Sequence, residues 1–448
     1  MNYTTTTNGA KTNSTSGKEC LDLFTRIGNM RYEDRLRILE DFEKAYQDDK
    51  QLATQVLFWA RAARIGSGER KTFHTIFSEI GKTSPDFISD NARTLAELGY
   101  WKDLVPYFGI PKVISIFAQA IREKDRLACK WAPRKCAELR DELGFTNREY
   151  RKWLKRYSET VEQKMSESNW SDIQYSSVPG SAMRKYSGAF DKQDNQRFVD
   201  WKNDKTSKAS VSATYPHEVL ACDDDKLAEK LWNNLPDLLS DSNENILPMI
   251  DVSGSMFGQP LAVATSLGMY LAERTKGEFR DMFLTFSENP ELVKLQGDTV
   301  GERLRRISNA DWGMSTDFTK AYQHILDVAV HHDVVPESMP TMLLVLSDMQ
   351  FNDSQRGMTH FEHMKEEYEK AGYKLPKIVF WNLDAHMGTP AQCDDDSVAM
   401  VSGFSPSIMK AVLNAEEFTP MDVMMEALKD IELNYINLPK DFSYVSEI

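Results

Sequence analysis

Residues Ile246–Met256 read ILPMIDVSGSM, and this stretch decides the fold of the carboxyl-terminal half. A short apolar run without alternation is expected for a strand buried on both faces. The run ends in Asp251, and Ser253 and Ser255 follow at alternating positions. One carboxylate and two hydroxyls then share a loop at the carboxyl end of a strand. Hard oxygens grouped this way suit Mg²⁺, which takes one or two carboxylates and keeps several waters. Mn²⁺ or Ca²⁺ would accept the same donors.

Working outward, strands are expected at 246–251, 279–286, 292–295, 341–348, 377–382 and 398–402. Helical patterns fall between or after them at 260–274, 301–307, 317–331, 359–371, 406–413 and 421–433. Alternation of this kind implies a mostly parallel, doubly wound sheet. Ligands of such sheets bind beyond the carboxyl ends of the strands. Two more loops therefore bear on Asp251. The strand TMLLVLSDM ends at Asp348, a second carboxylate, and the loop GMSTDF offers Thr316. The expected metal ligands are Asp251, Ser253, Ser255, Thr316 and Asp348. An acidic group from a partner protein would displace a water from the ion. Each of these residues also has an ordinary role as a helix cap or turn former, and Asp317 is better read that way.

Catalysis is not expected. The G-x-S-x-G elbow and the G-x-x-x-x-G-K-[ST] loop are both absent, and no histidine accompanies Asp251. Metal-assisted nuclease chemistry needs the same carboxylates and remains a distant third reading. His360 and His363 share a helix face but have no further ligand nearby, so a surface helix is the simpler reading.

Before Asn243 the chain is helical. Breaks at 64–68, 81–85 and 109–111 separate successive amphipathic segments, as in stacked helix pairs. The expected layout is a disordered tail over 1–18, a helical repeat-like domain over 19–240 and an α/β domain over 241–448. The net charge of −14 is unevenly spread: residues 121–210 carry about +6 and residues 241–448 about −17. Lys130, Arg134, Lys135, Arg148, Arg151, Lys152, Lys155, Arg156, Lys164, Arg184 and Lys185 crowd the basic stretch. Trp131, Tyr150, Trp153, Tyr157, Trp170 and Tyr175 are interleaved with them. Cations neutralise phosphates and aromatics stack on unpaired bases, so structured or single-stranded RNA is a candidate ligand. A solvated helix face over a few core aromatics is the competing explanation.

At 448 residues, with 27% charged and 41% apolar residues, the chain has the make-up of a multidomain soluble protein. No run approaches the roughly 18 apolar residues of a membrane span. Five cysteines (Cys20, Cys129, Cys136, Cys222 and Cys393) include no C-x-x-C pair, which fits a reducing cytoplasm. A monomer is expected.

The Asp-x-Ser-x-Ser loop with its two companion loops resembles the metal-ion-dependent adhesion site of von Willebrand factor A domains. The segments LFWARAARIGSGERKTFHTI, AELGYWKDLVPYF, KWAPRKCAELRDELGFTNREYRKWL, VEQKMSESNWSDIQYSSVPGSAMRKY, TYPHEV, DVSGSM and SDMQF resemble a family of plants, fungi, large DNA viruses and phages. Its plan is a helical region followed by a von Willebrand factor A domain, and its function is uncharacterised. That plan is similar to the Ro autoantigen, in which a ring of helical repeats is closed by an A domain and binds small structured RNAs. The resemblance implies a Ro-like scaffold, a helical array followed by an A domain, with closure into a ring as in Ro. The alternative is a protein–protein adaptor with Mg²⁺-dependent ligand binding and no RNA role.

Overall fold

A computed structural model describes residues 3–5, 11–287, 289–308, 318–349, 359–384, 389–415, 417–440 and 442. Among them the chain forms two compact units. One takes Met1–Glu33 and Thr214–Lys429, the other Asp34–Ala213 and Asp430–Ile448. Each of these units is built from two separated stretches of chain.

The first unit is α/β. Two short strands, β1 (Tyr3–Thr5) and β2 (Lys11–Asn13), form an antiparallel pair. Six more make one sheet: β3 (Ile246–Ile250), β4 (Met282–Thr285), β5 (Leu292–Lys294), β6 (Met342–Ser347), β7 (Lys377–Asn382) and β8 (Val398–Ser402). Their order is β5-β4-β3-β6-β7-β8, all parallel except β5, which pairs antiparallel with β4. Every residue of β3 and β6 is buried, as their unbroken apolar runs require. Pro248 brings no N–H to the ladder, and the pairing of β3 with β4 starts one residue later, at Met249.

Helices Gln259–Arg274, Val300–Ser308, Phe318–His331, Thr359–Lys370, Ile408–Asn414 and Pro420–Leu428 connect or follow the strands. Gln259–Arg274 lies close on β3 because Gly268 faces Ile250. A Cβ at Gly268 would come within 2.5 Å of the Ile250 Cδ1 atom.

The described part of residues 1–18 is bonded into the α/β unit. Asn13 and Thr389 exchange backbone hydrogen bonds (3.3 and 2.9 Å), and the Cys393 N–H donates to the Ser16 carbonyl (3.0 Å). Helix Glu19–Ile27 then packs beside β8. The Ser402 hydroxyl donates to the Phe24 carbonyl (2.8 Å) and accepts the Gly28 N–H (3.3 Å). Polar Thr, Asn and Ser are used here as strand-edge and loop partners, which composition alone does not disclose.

The second unit is helical. Asp34 and Asp49 cap Arg35–Asp48 and Lys50–Arg61 by accepting the N–H of Leu36 (2.8 Å) and Leu52 (2.9 Å). Only Asp49 separates these two helices, so the chain must reverse sharply there. Further on, Lys71–Thr83, Pro111–Arg122, Asn147–Ser158 and Gly180–Gln193 are the longer helices.

A buried polar network lies inside this unit. Asp103, fully buried, accepts hydrogen bonds from Arg61 Nε (2.9 Å), Arg70 Nε (2.8 Å) and the Tyr100 N–H (2.9 Å), and a further one from Arg61 Nη2. His74 Nε2 lies 3.3 Å from Asp103 Oδ1, and its Nδ1 lies 2.8 Å from the Tyr107 hydroxyl. A carboxylate only accepts, so Nε2 donates to Asp103. Burial pushes the Asp103 carboxyl upward, but the His74 bond and the charge and bonds of Arg61 outweigh it and hold it at about 2.

Residues of the second stretch complete the unit. Asn91 Nδ2 donates to the Asn437 carbonyl (2.9 Å) and Asn91 Oδ1 accepts the Asn437 N–H (2.8 Å). The Phe442 ring meets Phe42 edge-on at 5.2 Å.

Candidate metal centre and basic face

The strand order reverses between β3 and β6: the chain leaves β3 towards β4 and β5, then returns to the other side as β6. That is the topological switch point of the sheet, the place where a crevice opens beyond the carboxyl ends. Asp251 ends β3 and Asp348 follows β6, so the two carboxylates fall at this point.

Asp251 is 1% exposed, and its N–H continues the ladder to the Leu346 carbonyl (3.0 Å). Both carboxylate oxygens receive donors. The Ser253 N–H bonds Oδ1 at 2.8 Å, and the Ser347 hydroxyl bonds Oδ2 at 2.6 Å. Asp348 is likewise 1% exposed. Burial raises the Asp251 carboxyl above its usual range. The Ser347 and Ser253 bonds hold it back, and the charge of Asp348 pushes it up again. Two buried carboxylates repelling one another are stabilised by a cation placed between them.

The serines complete the loop. The Ser253 and Ser255 hydroxyls are 3.1 Å apart, with Ser253 half-buried and Ser255 exposed. Gly258 then turns the chain into helix Gln259–Arg274 with φ +96° and ψ −130°, a combination open to glycine and strained for other residues. On the opposite wall Met349 sits in the left-handed region (φ +64°) and donates its N–H to the Ser347 hydroxyl (3.1 Å). Ser347 thus ties both strand ends together, a role its position before Asp348 hints at only once the strands are known to be neighbours.

Four of the five expected ligands, Asp251, Ser253, Ser255 and Asp348, lie at this point; Thr316 is outside the described residues. No group of three or more His, Cys, Asp or Glu side chains suited to a metal occurs among the described residues. The donors present are two carboxylates and two hydroxyls, a set that fits a hard cation with water in its remaining positions.

The basic residues divide. Arg148, Arg151, Lys152, Lys155 and Arg156 are all exposed along Asn147–Ser158, at spacings that place them on one side of the helix, while Tyr150, Leu154 and Ser158 are buried on the other. The Tyr150 hydroxyl donates to the Pro133 carbonyl (3.0 Å), which holds the exposed Arg134 and Lys135 loop against this helix. Lys155 is paired with Glu167 (2.5 Å), and Lys164 is engaged by the Asp172 carbonyl (2.8 Å). Lys130 lies over the Trp131 ring at 5.3 Å and Lys185 over Tyr186 at 5.0 Å. Arg184 and Lys185 belong to a separate helix, Gly180–Gln193.

Two of the aromatics are core residues. Tyr150 is buried as above, and Tyr175 packs with Phe190, Phe198 and Trp201 at 5.1–5.9 Å. Trp153 and Tyr157 pack on each other at 4.7 Å and remain partly accessible.

Residues 6–110 and 113–238 match a family described as a domain of unknown function, DUF2828. Residues 245–437 match a second, described as domain of unknown function DUF7788. The "Uncharacterized protein L728" of Acanthamoeba polyphaga mimivirus is 29% identical over 516 residues, covering 97% of this chain and 88% of that protein. A solved structure, the Deinococcus radiodurans Ro (RSR) protein, is 14% identical, with a TM-score of 0.32 over 92% of this chain and 93% of that one.

Proposed function

This chain belongs to the DUF2828 family, and we propose from its own geometry that it is a cation-dependent binding scaffold without catalytic activity. Its α/β unit is read as a von Willebrand factor A-type domain. Asp251, Ser253, Ser255 and Asp348 would hold Mg²⁺, with Thr316 as the fifth ligand expected from sequence. The observation that carries the reading is the burial of Asp251 and Asp348 at adjoining strand ends of the switch point. A bound cation would supply positive charge to a carboxylate arriving from an acidic partner. The residues themselves orient the donors: Ser347 and the Ser253 N–H fix the Asp251 carboxylate, while exposed Ser255 leaves the outer side to the ligand.

The helical unit would contact RNA through the exposed stripe from Arg148 to Arg156 and the adjacent Arg134 and Lys135. No helix among the described residues is long and apolar enough to cross a membrane, and all five cysteines are free thiols, which fits a place in the cytoplasm. A second reading, a protein–protein adaptor with no RNA role, is favoured by the pairing of Lys155 with Glu167 and by the net charge of −14.

Titration calorimetry with MgCl₂ and MnCl₂ tests the cation site. The full chain should bind one ion and Asp251→Ala none; equal affinity in both rejects the assignment. Filter binding of an RNA hairpin with a single-stranded overhang separates the two readings. Absence of binding at low salt leaves the adaptor.

A further inference from the structure

Two aromatic side chains beside the candidate metal centre are left in solvent. Phe257 is 87% exposed and Tyr32 is 73% exposed. Phe257 ends the turn Gly254–Met256, two residues after Ser255. The Tyr32 hydroxyl lies 3.4 Å from Gln259 Oε1, so Tyr32 reaches the start of the same helix that Phe257 precedes.

The segment that carries Tyr32 is anchored. Asn29, 2% exposed, donates from Nδ2 to the carbonyl of Asn382 at the carboxyl end of β7 (2.5 Å). Met30 is fully buried, and the Arg31 guanidinium lies 4.5 Å from the centre of the Phe404 ring. The chain from Asn29 to Tyr32 therefore runs from the end of β7 to the turn after β3. In the sheet β6 lies between those strands, and β6 is followed by Asp348. The segment thus passes the carboxyl edge of the sheet near the candidate site, and Tyr32 ends at Gln259, two residues beyond Phe257.

Resting on the cation-binding reading, we propose that Tyr32 and Phe257 form an aromatic rim that selects acidic peptide segments whose Asp or Glu is flanked by apolar side chains. Charge decides the class of ligand. Around an acidic unit, a cation held by two carboxylates and two hydroxyls attracts a single compact carboxylate, whereas a polyphosphate chain meets repulsion from the surrounding acid. The flanking apolar side chains then cover rings that water otherwise surrounds, which is where large aromatics contribute most to an interface.

The test uses the full chain in MnCl₂ and two fluorescein-labelled peptides, Gly-Ser-Phe-Asp-Leu-Ser-Gly and Gly-Ser-Gly-Asp-Gly-Ser-Gly, read by fluorescence polarisation. The wild type should prefer the first by about tenfold or more. Phe257→Ser and Tyr32→Ser should each shrink that preference, and together abolish it, with Mn²⁺ affinity by calorimetry unchanged. Asp251→Ala should lose Mn²⁺ and both peptides. Intact Mn²⁺ binding with equal affinity for the two peptides overturns the rim while leaving the cation site standing. Failure to bind Mn²⁺ removes the underlying reading and the rim with it. Tight binding of single-stranded oligouridine that is lost in Phe257→Ser would show that the rings stack on bases, and would also overturn the proposal.

Discussion

The Ser347 hydroxyl donates to Asp251 Oδ2 at 2.6 Å, joining the carboxyl ends of two neighbouring strands through a carboxylate that is 1% exposed. The same hydroxyl accepts the Met349 N–H, so a left-handed residue, a buried acid and two strands share one oxygen.

Ser347→Ala should therefore cost more than a surface serine. It strips a donor from a buried carboxylate and an acceptor from a buried N–H, a loss of about 1–3 kcal/mol. Calorimetry should show a lower melting temperature, and Mn²⁺ binding should weaken because Oδ2 is no longer oriented. Superimposable melts for variant and wild type would show that Ser347 does not brace the site.

The Asp103 network makes acid stability predictable. A carboxyl lowered from 3.8 to about 2 in the folded chain stabilises it at pH above about 4. That contribution, about 2 kcal/mol, is lost as pH falls from about 4 through about 2. Urea unfolding at several pH values should show wild type and Asp103→Asn converging as pH drops. Near neutrality the variant should be weaker by about 3–5 kcal/mol, because Arg61 is left buried without its counter-charge. Parallel pH profiles would refute this account.

The amino-terminal segment should behave as part of the α/β unit. Asn29→Ala leaves the Asn382 carbonyl with only the longer Gly403 N–H bond (3.4 Å), at a cost of about 1 kcal/mol. Hydrogen exchange should accelerate in β7 and β8, and removal of residues 1–33 should accelerate it further. Unchanged protection in those strands would mean the segment is dispensable.

For the basic face, charge reversal at Arg148, Arg151, Lys152 and Arg156 together should lower RNA affinity at least about tenfold and flatten its salt dependence. Asp251→Ala should leave RNA binding nearly intact. Equal loss in both variants would place RNA at the metal centre instead.

The α/β half was legible because its signals are local. Six apolar or alternating runs, each followed by a turn, correspond to β3–β8 within a few residues, and Asp251 and Asp348 then fall at strand ends by position alone. Two features were hidden for opposite reasons. Thr4, Thr12 and Asn13 have the composition of a solvated tail, yet Thr4 pairs with Thr12 and Asn13 bridges to Thr389 far along the chain. Arg61 and Asp103 are separated by 42 positions, so no window contains the pair. Tyr150 and Tyr175 look like base-stacking residues when counted among cations, but their helix faces turn them inward.

The interleaving of the two units constrains the order in which a ribosome can finish them. Residues 11–33 emerge early, yet their partners Asn382, Thr389 and Ser402 are made about 350 residues later. At ordinary elongation rates the segment waits on the order of tens of seconds with its apolar face uncovered. The helical unit is finished later still, because Asn437, bonded to Asn91, is made only after the α/β strands are complete. Neither unit can close ahead of the other by much, so the chain is a natural client for chaperones that shield exposed apolar segments during synthesis. Nascent chains stalled before residue 380 should be cut by protease within residues 11–33, and full-length chains should resist it there.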